Sequence, residues 1–219
     1  MAKLAGKAGN VFVASLLLED CEDAWVSGTN GTASLETSLV KVGSGSAKCV
    51  ISGASNGDVL VYETISSSDV STYDHILAWV RTTATVAAAD LRLLLDDTGG
   101  AVSPETMVDI PVVSLNAWTY CHCTEVSGSE MSGSSAATVI GLEMNANTAA
   151  FTVYLDDIRA AKDIAGIKTW TLDYTTDALE TTDFSVSGVK AFIAGPSGWS
   201  GSFDGFKDGA PISIGSQIG

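Results

Sequence analysis

The chain has 219 residues, 46% of them apolar, and a formal net charge of −15. Its apolar content suffices for one large or two small packed domains, and no run of 18 apolar residues is present to span a membrane as a helix. The charge is uneven: residues 17–162 hold 19 acids and 6 bases (−13) and the remaining segments 7 acids and 5 bases (−2), an acidity that repels phosphates and argues against nucleic-acid binding.

Lys3 and Lys7 are followed by no continuous apolar stretch, so a secretory leader is not expected. Residues 6–14 read as a short strand containing Val11 and Val13, with no strand partner nearby in sequence. A block of about 145 residues then has its own strand rhythm. It opens with Leu16, Leu17 and Leu18 and runs through Glu19, Cys21 and Glu22 to Trp25. Strands are expected at 37–42 and 47–51, separated by the turn Gly43-Ser44-Gly45-Ser46, and at 59–63, 74–81, 91–96, 118–123, 138–143 and 151–159. In residues 74–81, Ile76, Ala78 and Val80 alternate with Leu77 and Trp79, the period of a strand with two distinct faces. Eight or nine such strands make a two-sheet antiparallel sandwich.

Residues 165–174 read as the strand that should follow the first one, with Trp170, Leu172 and Tyr174 sharing a face. A turn or short helix is expected near 186–193 and a turn at 195–198. Residues 199–206 form a strand in which Trp199, Gly201, Phe203 and Gly205 share one side. Glycine inside a strand implies close approach by a neighbouring backbone. The expected organisation is therefore all-β: a sandwich of residues 16–162 inserted into a small discontinuous β domain of residues 1–15 and 163–219.

No pattern here carries catalysis. Asp96-Asp97 and Asp156-Asp157 are adjacent on strands and point to opposite faces, so neither is a glycosidase pair. No GxSxG, P-loop or GxGxxG at a strand–helix junction occurs, and His75 and His122 read as lone histidines. A non-enzyme is expected. Cys121 and Cys123 share one strand face, with His122 opposite; the four cysteines read as buried free thiols, with a Cys21–Cys49 bridge as the alternative.

Two resemblances follow from these motifs. The outer segments, with Leu172-Asp173-Tyr174, Gly188-Val189-Lys190-Ala191-Phe192-Ile193-Ala194-Gly195 and Trp199-Ser200-Gly201-Ser202-Phe203-Asp204-Gly205, resemble the tail-tube family of tailed bacteriophages. That resemblance implies a virion structural protein, assembled in the host cytoplasm through contacts with copies of itself and other virion proteins. Assembly would use the strand edges at Val11, Val13 and Gly201, with burial of Trp170, Trp199 and Phe203 completed by a neighbour. About 70 outer residues are too few for a closed core, and tail-tube domains ordinarily continue past this point. A capsid decoration protein therefore stands beside the tail tube, and a secreted glycan-binding module is the further alternative.

The inserted block is similar to jelly-roll carbohydrate-binding modules. The similarity rests on Glu22 and Trp25, the turn Val42-Gly43-Ser44-Gly45-Ser46-Ala47-Lys48, Ala78-Trp79-Val80-Arg81, Ala117-Trp118-Thr119-Tyr120, and Tyr154-Leu155-Asp156-Asp157-Ile158. It implies a structural Ca²⁺ held by Glu22 and Asp156, with carbonyls of the 43–47 turn nearby. Hard oxygen ligands from distant strands suit that ion. Tyr62, Tyr73, Trp79 and Tyr120 are the candidate glycan contacts, although Trp25, Trp79 and Trp118 are expected mainly to fill the core.

Overall fold

A computed structural model describes residues 4–5, 12–146, 149–163, 167–180 and 192–205. The fold is all-β, with one short 3₁₀ turn, Met131–Gly133, among the described residues. Two compact units divide the chain: Met1–Val11 with Ile164–Gly219, and Phe12–Asp163.

In the smaller unit β1 (Leu4–Ala5) pairs antiparallel with β13 (Ile167–Glu180), which pairs with β14 (Phe192–Gly205). In place of the expected turn at 195–198, β14 continues through these residues with a register shift: Gly198 lies opposite Thr175 and Ser197 opposite Thr176, but Ala194 lies opposite Ala178, so Gly195 and Pro196 fall in an irregularity of the ladder. Pro196 is tolerated there because it sits in this irregularity, where its missing N–H removes no ladder bond. Backbone register sets Trp170 opposite Phe203, Leu172 opposite Gly201 and Tyr174 opposite Trp199. Gly201 is exposed, whereas Val11 and the side chains of Trp170, Trp199 and Phe203 lie outside the described residues, as do positions 186–191 of the expected turn or helix. Val13 is a correction. It sits in β2 (Phe12–Glu19), opposite Lys162, whereas the N-terminal partner of residues 171–172 is β1, with Leu4 opposite Leu172. The apolar run around Val13 continues through Leu16, Leu17 and Leu18, and the longer strand it forms pairs with β12 in the larger unit.

The larger unit consists of β2, β3 (Val26–Ser27), β4 (Gly31–Glu36), β5 (Ser46–Ile51), β6 (Asp58–Ser68), β7 (His75–Thr82), β8 (Leu91–Asp96), β9 (Thr106–Asp109), β10 (Thr119–Glu125), β11 (Ala137–Met144) and β12 (Thr152–Asp163). One layer has the order β4-β5-β12-β7-β10 and the other β3-β6-β11-β8-β9, and a β9–β10 ladder joins them at one edge. From β5 to β8, and again from β10 to β12, the chain alternates between layers, the jelly-roll path. The strand expected at 37–42 is instead irregular, and its place is taken by β4. A run of polar and apolar residues resembled a strand there, but residues 38–45 form a bent loop around carboxylates.

Between the layers lie Ile76, Ala78 and Val80 of β7, Cys49 and Ile51 of β5, Leu91, Leu93 and Leu95 of β8, Ile140 and Leu142 of β11, and Val153 and Leu155 of β12, all buried. Each such aliphatic side chain contributes about 1.5–3 kcal/mol by leaving water. The four cysteines are free and buried, Cys121 and Cys123 in this core. Burial raises their thiol pKa values, to about 12 for Cys49 and Cys121, so they pack as small apolar groups. Trp25 fills the core as expected, while Trp79 is only half-buried and Trp118, just ahead of β10, is half-buried too.

Candidate ligand-binding face and carboxylate sites

β12 positions the main features. Its residues 152–155 pair with β5 along one edge, and residues 158–163 pair with β2 along that same edge. At the change of partner the ladder with β7 shifts register between Asp156 and Arg159, and Asp157 adopts a positive φ of 48°. This bulge leaves Asp156 without a cross-strand neighbour on that edge. Its buried Oδ2 instead accepts backbone N–H groups of Lys41 (2.8 Å) and Val42 (3.0 Å) from the loop before β5. Oδ1 is buried and has no hydrogen-bond partner. Burial pushes the Asp156 carboxyl above its ordinary pKa, the two N–H groups pull it back, and Asp157 and Glu22 raise it further.

Glu22 grips the other side of that loop. Its carboxylate accepts the Ser44 N–H at 2.8 Å and the Ser44 hydroxyl at 2.5 Å, which holds its pKa low. Gly43 is required here: its φ is +70°, and a Cβ would lie 1.8 Å from Glu22 Oε1. Glu22 and Asp156 thus clamp one turn through its N–H groups, where the resemblance implies an ion with carbonyls nearby, and the orphaned buried Oδ1 of Asp156 is the atom that fits a cation.

A second acidic group lies at the β8–β9 hairpin. Asp96, Asp97 and Glu105 bring carboxylate oxygens within 4.8 Å of one another, a spacing that could hold a metal ion. Asp96 is buried, accepting Thr98 N–H (2.8 Å), Thr98 hydroxyl (2.7 Å) and Ser103 N–H (2.9 Å). Burial first, and then a shared hydrogen bond with Asp97, raises the Glu105 pKa. Sequence reading noticed the Asp96-Asp97 pair but not Glu105, because β9 was not anticipated.

The outer face of the β4-β5-β12-β7-β10 layer carries two of the aromatic candidates, Trp79 and Tyr120. Trp79 and Tyr120 lie opposite each other on β7 and β10, with ring centroids 4.8 Å apart and planes tilted by 39°. Tyr120 is 43% exposed. The ammonium of Lys41 stands 4.3 Å above the Trp79 ring, a cation–π contact that also ties the clamped loop to the face. On the other flank the Asp157–Arg159 ion pair, 2.8 Å across, lies close enough to bear on the Tyr120 hydroxyl: Asp157 raises its pKa and Arg159 lowers it, after burial. The face thus offers an apolar ring pair bordered by donors and acceptors, suited to a flat ligand with hydroxyls at its rim.

Tyr62 and Tyr73 do not join this pair. Tyr62 is on β6 of the opposite layer, against Leu94, Ala101 and Val139, and Tyr73 packs on the interior core ahead of β7. The four aromatic candidates therefore form no single platform. Lys41 and Arg159 were missed as members of the face. The signal for Arg159 was its parity with Tyr154 across a bulge that the sequence does not announce.

Among solved structures the chain is similar to one titled as an exo-beta-agarase (15% identity, TM-score 0.47), covering 68% of this chain and 25% of that one. It is also similar to a family 30 carbohydrate-binding module (13% identity, TM-score 0.41, 72% and 90% covered) and to the family 30 module of a cellulosomal cellulase of Clostridium thermocellum (12%, 0.41, 69% and 98%). The chain spans a quarter of the length of the agarase. At such identities and scores, what those proteins bind does not transfer to this chain. No family model and no curated protein sequence matches it. The tail-tube resemblance of the outer segments gains no support from these comparisons.

Proposed function

We propose that the larger unit is a glycan-binding module, not an enzyme, and that it engages saccharide rings with Trp79 and Tyr120. The observation that supports this reading is the paired, solvent-facing ring surface with Lys41 on one side and Asp157–Arg159 on the other. Sugar rings present apolar C–H faces to aromatic rings while their rim hydroxyls exchange hydrogen bonds with flanking charged groups. The Asp156 clamp shapes this face by holding Lys41 over Trp79. In this reading a structural Ca²⁺ engages Asp156 Oδ1 with Glu22 nearby, and its charge offsets the buried carboxylate.

The test is affinity electrophoresis of the full chain through neutral and acidic polysaccharides. Retardation by at least one polysaccharide, lost in Tyr120→Ala, is expected. No retardation by any of them, or retardation unchanged by Tyr120→Ala, sinks the reading.

A second reading concerns the smaller unit. β13 and β14 are each 14 residues long, yet among the described residues they are joined only by the two-residue β1, and β14 forms an edge. The open edge of β14 among the described residues favours pairing with further copies of the chain, the role expected of a virion tube or decoration protein.

A further inference from the structure

The chain has two histidines, 47 positions apart in sequence, and the fold brings them together. His75 begins β7, and His122 lies opposite Leu77 on the neighbouring β10, so the two imidazoles are diagonal neighbours on the outer face. Their ring centroids are 4.3 Å apart, edge to face. His75 Nε2 is 3.0 Å from Asp163 Oδ1 on β12. Asp163 is itself positioned, its N–H donating to Asp74 Oδ2 at 2.9 Å. Phe12, opposite Asp163 on β2, packs against both rings, at 5.7 Å from His75 and 5.5 Å from His122. Two imidazoles and an oriented carboxylate thus stand beside one apolar wall, with His75 Nε2 and Asp163 Oδ1 already in contact, although the ligand atoms of all three do not lie within 4.8 Å of one another as those of Asp96, Asp97 and Glu105 do.

We propose that His75, His122 and Asp163 form a binding site for a borderline-soft divalent cation of the Zn²⁺ class. Imidazole nitrogen and carboxylate oxygen are the ligands such ions prefer, whereas Ca²⁺ takes oxygen alone. Two ligands of a tetrahedral Zn²⁺, each about 2.0 Å from the ion, stand roughly 3.3 Å apart. The 3.0 Å between His75 Nε2 and Asp163 Oδ1 is therefore close to the separation that the ion needs, and it enters by displacing the proton they share. Two imidazoles on one such ion have centroids roughly 5 Å apart, so His122 must change rotamer to bring a ring nitrogen to the ion. It is exposed, and exposed rotamers exchange within nanoseconds. Water completes the shell. Asp74 adds negative charge nearby, and its hydrogen bond to the Asp163 backbone plays the orienting part that outer-shell partners play in metal sites.

The experiment is isothermal titration of the untagged full chain with Zn²⁺ at pH 7.5, in the presence of millimolar Ca²⁺ to occupy oxygen-only sites. Co²⁺ absorption is the second readout. One equivalent of Zn²⁺, with visible bands of nitrogen-ligated tetrahedral Co²⁺, is expected. His122→Asn should weaken binding about tenfold or more and abolish those bands. His122 is exposed, so this variant folds, as its unchanged circular dichroism will show. The proposal is overturned if Zn²⁺ does not bind in excess Ca²⁺. It is equally overturned if His122→Asn and His75→Asn leave binding unchanged, since the ion would then sit elsewhere.

Discussion

Asp156→Asn is the perturbation whose sign separates an ion-bound clamp from a bare one. The amide oxygen can keep the hydrogen bonds from Lys41 and Val42, while the charge at the orphaned Oδ1 position is lost. Without an ion, the wild-type carboxylate is a buried charge with a raised pKa. Its folded-state pKa lies above the unfolded one, so its contribution falls as pH rises through that window and is least favourable at neutral pH. Asparagine then raises the neutral-pH Tm or leaves it unchanged. With Ca²⁺ bound the sign reverses. An ion at 100 times its Kd stabilises the folded state by about 2.7 kcal/mol. For a unit of about 150 residues that is roughly 5–10 °C of Tm, which the variant forfeits. The assay is differential scanning fluorimetry of both chains in millimolar Ca²⁺ and in EGTA. We expect a calcium-dependent rise in wild type that is absent in Asp156→Asn. A variant that retains the full rise moves the ion to Asp96, Asp97 and Glu105, and a wild type with no rise leaves Asp156 without one.

Trp79→Ala should lower polysaccharide affinity about tenfold or more, because a central aromatic anchor is worth 2 kcal/mol or above, while Tyr62→Ala on the opposite layer should not, as read by affinity electrophoresis. Burial, partly offset by the Cys21 N–H, raises Glu19 to about 7. The folded state therefore holds this proton more tightly than the unfolded chain, and stability falls as pH rises from about 4.5 to 7. Glu19→Gln should raise stability at pH 8, read from Tm, by on the order of 1 kcal/mol after solvent screening, and change little at pH 4.5. Gly201→Val, placed opposite Leu172 at the exposed edge of the smaller unit, should reduce any self-association seen by light scattering without altering the Tm of the larger unit. Unchanged association would remove that edge from the proposed assembly surface.

The sequence made the strands legible wherever one face is buried and the other wet. Ile76, Ala78 and Val80 point inward and Trp79 outward as their alternation requires, and Cys121 and Cys123 bury while His122 does not. It failed where pairing is decided by partners distant in the chain. Residues 6–14 looked like one strand, yet the ladder that claims Val13 is set by β12. Residues 37–42 looked extended, but the Ser38 N–H goes to Glu36 and those of Lys41 and Val42 go to Asp156. The turn marked by Gly195, Pro196 and Gly198 becomes a shift of register within β14, where Gly195 and Pro196 have no paired residue.

The histidines show most plainly why the site was harder to read than the fold. Each taken alone is a polar residue on a wet strand face, and period-two alternation correctly gives its side of the sheet. What alternation does not contain is strand order. Only when β10 is known to lie against β7, and β7 against β12, do His122, His75 and Asp163 become neighbours. The same holds for Trp79 with Tyr120, and for Glu22 with the loop that Asp156 holds. In a jelly roll successive strands cross between layers, so residues adjacent on a face come from strands separated by one or more crossings. The chemistry of such a surface is therefore a property of topology, and the residues that share a ligand are those that a local reading of the sequence treats as unrelated.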